Sequence, residues 1–150
     1  MRIIVSPYSR ELDNAKNYPY WYELINELKD DFDVIQVGRK GEPVIKVGTK
    51  VLYDMPLKEL EALTKTVGLW VSVDNFFPHM ADYIGVKGVG LFGPSDPDIF
   101  GHSSNVNLLK SREFLRKDQF GFYKGWKWEH ADKGWVQPTE VINAINNLSK

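Results

Sequence analysis

The stretch from Trp70 to Pro97, WVSVDNFFPHMADYIGVKGVGLFGPSDP, decides how this chain is read. The apolar run Leu69 to Val73 ends in Asp74 and Asn75, and a short amphipathic segment, Pro78 to Ile84, follows. A second apolar run then breaks at Gly93-Pro94-Ser95-Asp96-Pro97. The order is strand, tight turn, helix start, strand, polar turn. In an open parallel sheet both turns fall at the carboxyl ends of neighbouring strands, where such folds place their ligands.

The same alternation continues outward in both directions. Towards the N-terminus, Ile3 to Val5 read as a buried first strand, Val34 to Val37 as a second and Lys50 to Tyr53 as a short third. A helix opening at Pro19 carries Trp21, Leu24, Ile25 and Leu28 on one stripe. Another, opening at Pro56 and closing before Gly68, carries Leu57, Leu60 and Leu63. Towards the C-terminus, Val106 to Leu109 suggest a further strand, and a last helix begins at Pro138 with Val141, Ile142, Ile145 and Leu148 on its buried side. Strands alternating with helices argue for a parallel sheet under helical cover. The expectation is a single α/β domain over residues 1–150, Rossmann-like and three-layered.

Bulk properties narrow the function. A chain of 150 residues is one ordinary domain, and a net charge of -1 recruits neither nucleic acid nor an anionic membrane. Any anion must be bound by local features. The absence of cysteine removes disulfides, thiolate nucleophiles and cysteine-based zinc sites, and it is compatible with a reducing compartment. MRIIVSPYSREL turns polar too soon for a signal peptide, and no apolar run reaches the length of a membrane span, so the cytoplasm is the expected location.

Two irregular segments stand out. The loop SPYSRELDNAKNYP after the first strand is long and polar, which suits either a functional loop or a surface excursion. Ser111 to Trp135 is aromatic and basic, with Phe114, Phe120, Phe122, Tyr123, Trp126, Trp128 and Trp135. Such rings either stack on a base or sugar or cover a sheet edge.

Asp74, Asn75 and His79 form the sharpest local constellation. The backbone N–H groups from Asn75 through Phe76 and Phe77 to His79 begin a helix, where unpaired amides and the helix dipole attract a phosphate or diphosphate. The competing reading makes Asn75 or Asp74 a helix cap and His79 a packed side chain. Ser95 and the amides around Gly93 are a second candidate cradle, Lys16 a candidate counter-charge, and Glu42 an acid past the second strand suited to ribose hydroxyls. Each of these also has an ordinary surface or turn reading. His79, His102 and His130 lie too far apart for a zinc motif, and no Walker loop, G-x-G-x-x-G or G-x-S-x-G is present.

Taken in order, these residues resemble the C-terminal, nucleotide-sugar-binding half of the family 9 glycosyltransferases, the heptosyltransferases of lipopolysaccharide core. The family's D-[TS]-G-x-x-H-x-A-x-x-x-G is similar to Asp74-Asn75-Phe76-Phe77-Pro78-His79 with Ala81 and Gly85. Its F-G-P-T-x-P is close to Phe92-Gly93-Pro94-Ser95-Asp96-Pro97, and its K-x-W-P to Lys16-Asn17-Tyr18-Pro19. Gly41-Glu42 echoes its glycine-acid element, and Val136-Gln137-Pro138-Thr139-Glu140-Val141 its I-x-P-x-x-V.

The resemblance implies one half of a GT-B fold. Lys16 and the amides from Asn75 to Phe77 would hold the diphosphate of a nucleotide sugar, Glu42 the ribose, and Asp74 and His79 the donor end of the pocket. Two departures stand against it. Phe76 replaces the motif glycine, where a positive φ would be costly. Met1 leads directly into the first strand, so the acceptor-binding half and its catalytic base are expected from a partner chain or a second copy.

Three functions follow for testing. The first is donor binding in a glycosyltransferase that needs no metal or other cofactor, because amides and Lys16 stabilise the leaving diphosphate. The second is a non-catalytic module that captures a nucleotide or nucleotide sugar. The third, a nucleoside deoxyribosyltransferase-like enzyme suggested by IIVSPYS, lacks a well-placed carboxylate nucleophile beyond Glu42 or Asp74.

Overall fold

The computed structural model describes residues 1–45, 48–122 and 125–150. Six strands form one sheet: β1 (Arg2–Ser6), β2 (Asp33–Gly38), β3 (Lys50–Tyr53), β4 (Trp70–Val73), β5 (Val89–Phe92) and β6 (Val106–Leu109). Between and after them lie α1 (Trp21–Leu28), α2 (Leu57–Val67), α3 (Phe76–Tyr83), α4 (Pro97–Phe100) and α5 (Pro138–Leu148). Every strand pairing is parallel, and the order is β3-β2-β1-β4-β5-β6. The chain steps outward from β1 to β3, then returns to place β4 on the other side of β1. That reversal opens a crevice between the carboxyl ends of β1 and β4.

Alternation along β1 assigns the two layers. Ile3 and Val5 enter a core with Trp21, Leu24, Ile25 and Leu28 of α1 and Val141 and Ile145 of α5. Ile4 enters the opposite core, with Leu60 of α2, Trp70, and Phe77, Met80 and Ala81 of α3. Strands buried on both faces read as near-continuous apolar runs, as at Ile3 to Val5 and, apart from the buried Ser72, at Trp70 to Val73. Gly88 is fixed by packing, since a Cβ there would stand 2.2 Å from the Trp70 ring.

Helix boundaries differ from the sequence reading in physically simple ways. α1 starts at Trp21 rather than Pro19, with Tyr20 in the capping position. α3 starts at Phe76, two residues before Pro78, because the Asn75 side chain accepts the Phe77 N–H and so begins the helix itself. Pro78 falls in the first turn, where a missing N–H removes no helical bond. In α2 Leu57 is exposed, and the packed stripe continues through Leu60 to Thr64, whose hydroxyl donates to the Leu60 carbonyl at 2.7 Å. Gly68 ends that helix at φ 74°, a left-handed value that suits glycine.

The aromatic segment divides. Trp128 and Trp135 are buried in the core beside Tyr18 and Trp21, whereas Phe120 and Phe122 are exposed. Tyr123 lies outside the described residues.

Candidate functional site

A cleft of about 640 Å³ opens at the β1/β4 reversal, lined by Tyr8, Arg10, Lys16, Arg39, Glu42, Asp74, Asn75, Phe76 and Phe122 among others. One wall is the loop after β1. Asn17 folds this loop by accepting from the Ser9 N–H at 2.7 Å and donating to the Glu11 and Leu12 carbonyls at 2.9 and 3.0 Å. A polar excursion is thereby made into a fixed rim, and Lys16 is carried over the strand ends.

Lys16 Nζ lies 3.4 Å from Asp74 Oδ2, and the Asp74 side chain is nearly buried at the end of β4. The pair sets a cation against the mouth of the crevice with its own carboxylate beneath it. Beyond β2, one Glu42 carboxylate oxygen accepts the Arg39 N–H at 2.7 Å, and the Glu42 carbonyl accepts the Tyr53 hydroxyl at 2.6 Å. A Cβ on Gly38 would come within 2.1 Å of that carboxylate oxygen, so a larger residue there would displace the Glu42 side chain. The Arg39 guanidinium donates to the Arg10 carbonyl at 2.7 Å, tying the two rims together. Burial, with the Tyr53 and Glu42 charges, pushes the Tyr8 hydroxyl above its ordinary value, so it stays protonated and able to donate.

Asn75 occupies the centre of the crevice floor. Its Oδ1 accepts from the Phe77 N–H at 2.8 Å and the Ser72 hydroxyl at 3.1 Å, and its Nδ2 donates to Ser6 Oγ at 2.9 Å and the Tyr8 carbonyl at 3.0 Å. The capping reading of Asn75 is therefore what the structure shows. It also takes up an amide of the expected anion cradle, since Phe77 N–H is bound and Pro78 has none. Phe76 has no positive φ and begins α3 with its side chain exposed on the cleft. Phe77 turns inward, its ring 5.6 Å from that of Trp70.

The fold thus brings Lys16, Glu42, Asp74, Asn75 and Phe76 to one cleft, and His79, Gly93 and Ser95 are not among its lining residues. His79 faces His102. Gly93 lies under Trp135, and Ser95 is buried in a turn braced from residues 112–119. In that turn the Asp96 N–H reaches Gln119 at 2.7 Å, and Arg112 pairs with Asp96 at 2.8 Å and Asp98 at 2.9 Å. Sequence reasoning missed Tyr8, Arg10 and Arg39 as cleft residues. Their signal was position, directly after β1 and at the end of β2.

A parallel sheet in this order, with a polar cleft at its reversal, defines a Rossmann-like α/β protein. The family model described as glycosyltransferase family 9 (heptosyltransferase) matches residues 2–124, and the chain belongs to this family. Comparison with curated proteins gives no match. Among solved structures, it is similar to the iron-containing dodecameric heptosyltransferase TibC of enterotoxigenic E. coli, in complex with ADP-D-beta-D-heptose, with a TM-score of 0.74 at 19% identity. That match covers 99% of this chain and 45% of TibC. E. coli ADP-heptose LPS heptosyltransferase II matches at TM-score 0.69 and 19% identity, over 98% of this chain and 46% of its own. A family 9 glycosyl transferase of Veillonella parvula matches at 0.73 and 18% identity, over 98% and 46%. The chain spans just under half the length of these relatives, and the shared feature is the fold. No helix among the described residues is long and apolar enough to cross a membrane.

Proposed function

We propose that this chain is the donor-binding half of a GT-B glycosyltransferase, taking a nucleoside-diphosphate sugar in the β1/β4 cleft and working with an acceptor-side partner chain or second copy. The observation that carries the reading is the convergence of Lys16, Asp74, Asn75 and Glu42 on one cleft at the sheet reversal. Glu42 offers a carboxylate oxygen to ribose hydroxyls, and Lys16 supplies charge for the diphosphate. Transfer forms a bond from an acceptor oxygen to the anomeric carbon and breaks the bond from that carbon to the diphosphate. The acceptor proton passes to a base on the acceptor side, while Lys16 stabilises the negative charge growing on the leaving group. ADP-heptose, held by TibC, is the first donor to try. The cysteine-free chain suits the reducing cytoplasm.

A second reading has its own support. Phe76 puts a bulky side chain where the family motif has glycine, which favours a module that captures a nucleotide without turning it over.

Calorimetry with ADP, GDP, UDP and ADP-heptose tests both. Lys16→Ala is expected to weaken diphosphate binding by about 10- to 100-fold, the worth of one charged hydrogen bond, and to leave adenosine binding within a fewfold. Glu42→Gln is expected to weaken all nucleosides alike. No binding at millimolar concentration would overturn both readings, and binding without turnover in any chain combination would leave only the module.

A further inference from the structure

The strand order lays the cleft out in a line. At its β2 end stand Arg39 and Glu42, the latter tied to Tyr53 at the end of β3. Lys16 and Asp74 pair in the middle, at the β1/β4 reversal. The end towards β4 and β5 differs in character. Phe76 opens α3 there with a relative exposure of 57%, and Phe122, exposed to 93%, lines the same cleft. Both rings stand on anchored backbone. Asn75 clamps the start of α3, one residue before Phe76. The Arg116 guanidinium donates to the Gly121 and Phe122 carbonyls at 3.2 and 2.7 Å and lies 4.4 Å from the centre of the Trp126 ring. The backbone N–H of Arg116 donates in turn, at 2.9 Å, to the carbonyl of Pro94, two residues past β5. Phenyl rings held in water forgo the burial that phenylalanine ordinarily gains, and exposed apolar surface rimmed by polar residues marks a ligand groove.

What rests on the rings follows from the order of groups along the line. With ribose hydroxyls at Glu42 and the diphosphate at Lys16, the next group of a nucleoside-diphosphate sugar is the sugar itself. The base, on the other side of the ribose, is carried away from the rings. We propose that Phe76 and Phe122 form the seat of the donor's glycosyl group, a pyranose that lays a face of C–H bonds against them. This rests on the donor-binding reading and adds the residues that select the sugar. An aromatic face is electron-rich and the hydrogens of a C–H face are weakly positive, so the two attract each other while both leave water. Bulk at position 76, where the family motif has glycine, thereby becomes a contact to the sugar.

The test is calorimetry on the full chain with each diphosphate and its sugar: ADP against ADP-heptose, GDP against GDP-mannose, UDP against UDP-glucose. For the pair that binds, Phe76→Leu and Phe122→Leu should each weaken the sugar nucleotide by about three- to tenfold, the worth of one aromatic contact, and leave the bare diphosphate within about twofold. Phe76→Tyr and Phe122→Tyr should keep both affinities. Proton NMR adds a readout that a merely structural role would not move. The ring currents of the two phenyl groups should shift the C–H protons of the bound sugar upfield in the wild type, and the shift should shrink in each leucine variant. Circular dichroism and the retained diphosphate affinity report an intact fold. Equal losses for diphosphate and sugar nucleotide, no loss for either, rejection of every sugar nucleotide, or unshifted sugar protons would overturn the seat while diphosphate binding still stood. No diphosphate binding at millimolar concentration would overturn the donor-binding reading and the seat together.

Discussion

Replacing Asn75 by alanine tests whether the crevice is held by one side chain. Asn75 joins β1, β4 and α3 through four hydrogen bonds: from Phe77 N–H, from Ser72, to Ser6 and to the Tyr8 carbonyl. Loss of the helix cap costs about 1 kcal/mol. Loss of the two donated bonds costs about 1 kcal/mol each, because the Ser6 and Tyr8 oxygens lose a partner in a half-dry site. Ser72 adds little, since its hydroxyl retains the Ser6 carbonyl at 3.2 Å and the Val73 carbonyl at 2.8 Å. The sum is about 3 kcal/mol. For a chain of this size it lowers Tm by roughly 6–12 °C.

Asn75→Ser separates the contributions. A serine hydroxyl restores the cap to Phe77 and is too short to reach both Ser6 and Tyr8, so this variant should lose about 2 kcal/mol. Urea unfolding with linear extrapolation measures both. A loss under about 1 kcal/mol for Asn75→Ala, or a serine variant no better than the alanine one, would refute the clamp.

Two further outcomes are expected. Gly93→Ala sets a Cβ 2.6 Å from the Trp135 ring, itself wedged edge-on against Tyr18 and Trp128, and should cost about 1–3 kcal/mol in a thermal melt; an unchanged Tm would remove the packing argument. The Arg112 hydrogen bond holds the Asp96 carboxyl below the usual carboxylate range against the opposing effect of its burial. A depressed folded-state pKa adds stability above the ordinary carboxylate pKa and loses it as pH falls through the folded value. The urea midpoint should therefore drop on acidification more steeply in the wild type than in Arg112→Ala, and parallel profiles would refute the pairing.

The layer architecture was legible because parallel strands buried on both faces leave unbroken apolar runs, as at Ile3 to Val5, and because amphipathic stripes such as Trp21, Leu24, Ile25 and Leu28 repeat between them. The crevice was legible from where those runs stop. Its walls were not. Arg39 reaches the Arg10 carbonyl across 29 residues of sequence, and no local pattern encodes such a bond. Nor does spacing reveal that His79 turns to His102, because that meeting depends on where α4 ends. The aromatic segment defeated composition for a similar reason: Trp135 and Phe122 are alike in type, and only the packing over Gly93 separates a core residue from an exposed one.

What Asn75 does limits the ways in which this cleft can hold an anion. A helix start attracts phosphate chiefly through its unpaired N–H groups. In α3 the Phe77 amide is bound by Asn75 and Pro78 contributes none, so much of that attraction is spent on folding the crevice. Positive charge at the mouth comes instead from Lys16, Arg10 and Arg39, opposed by Glu11, Glu42 and Asp74. Three cations facing three carboxylates leave no net field to draw in an arbitrary anion. On the proposed reading, a ligand must satisfy both signs at once, with phosphates at the cations and hydroxyls at Glu42. A nucleoside diphosphate would do so, and inorganic phosphate would not. Selectivity then arises from side chains on loops that the sheet reversal brings together, while the backbone of α3 mainly secures the floor beneath them.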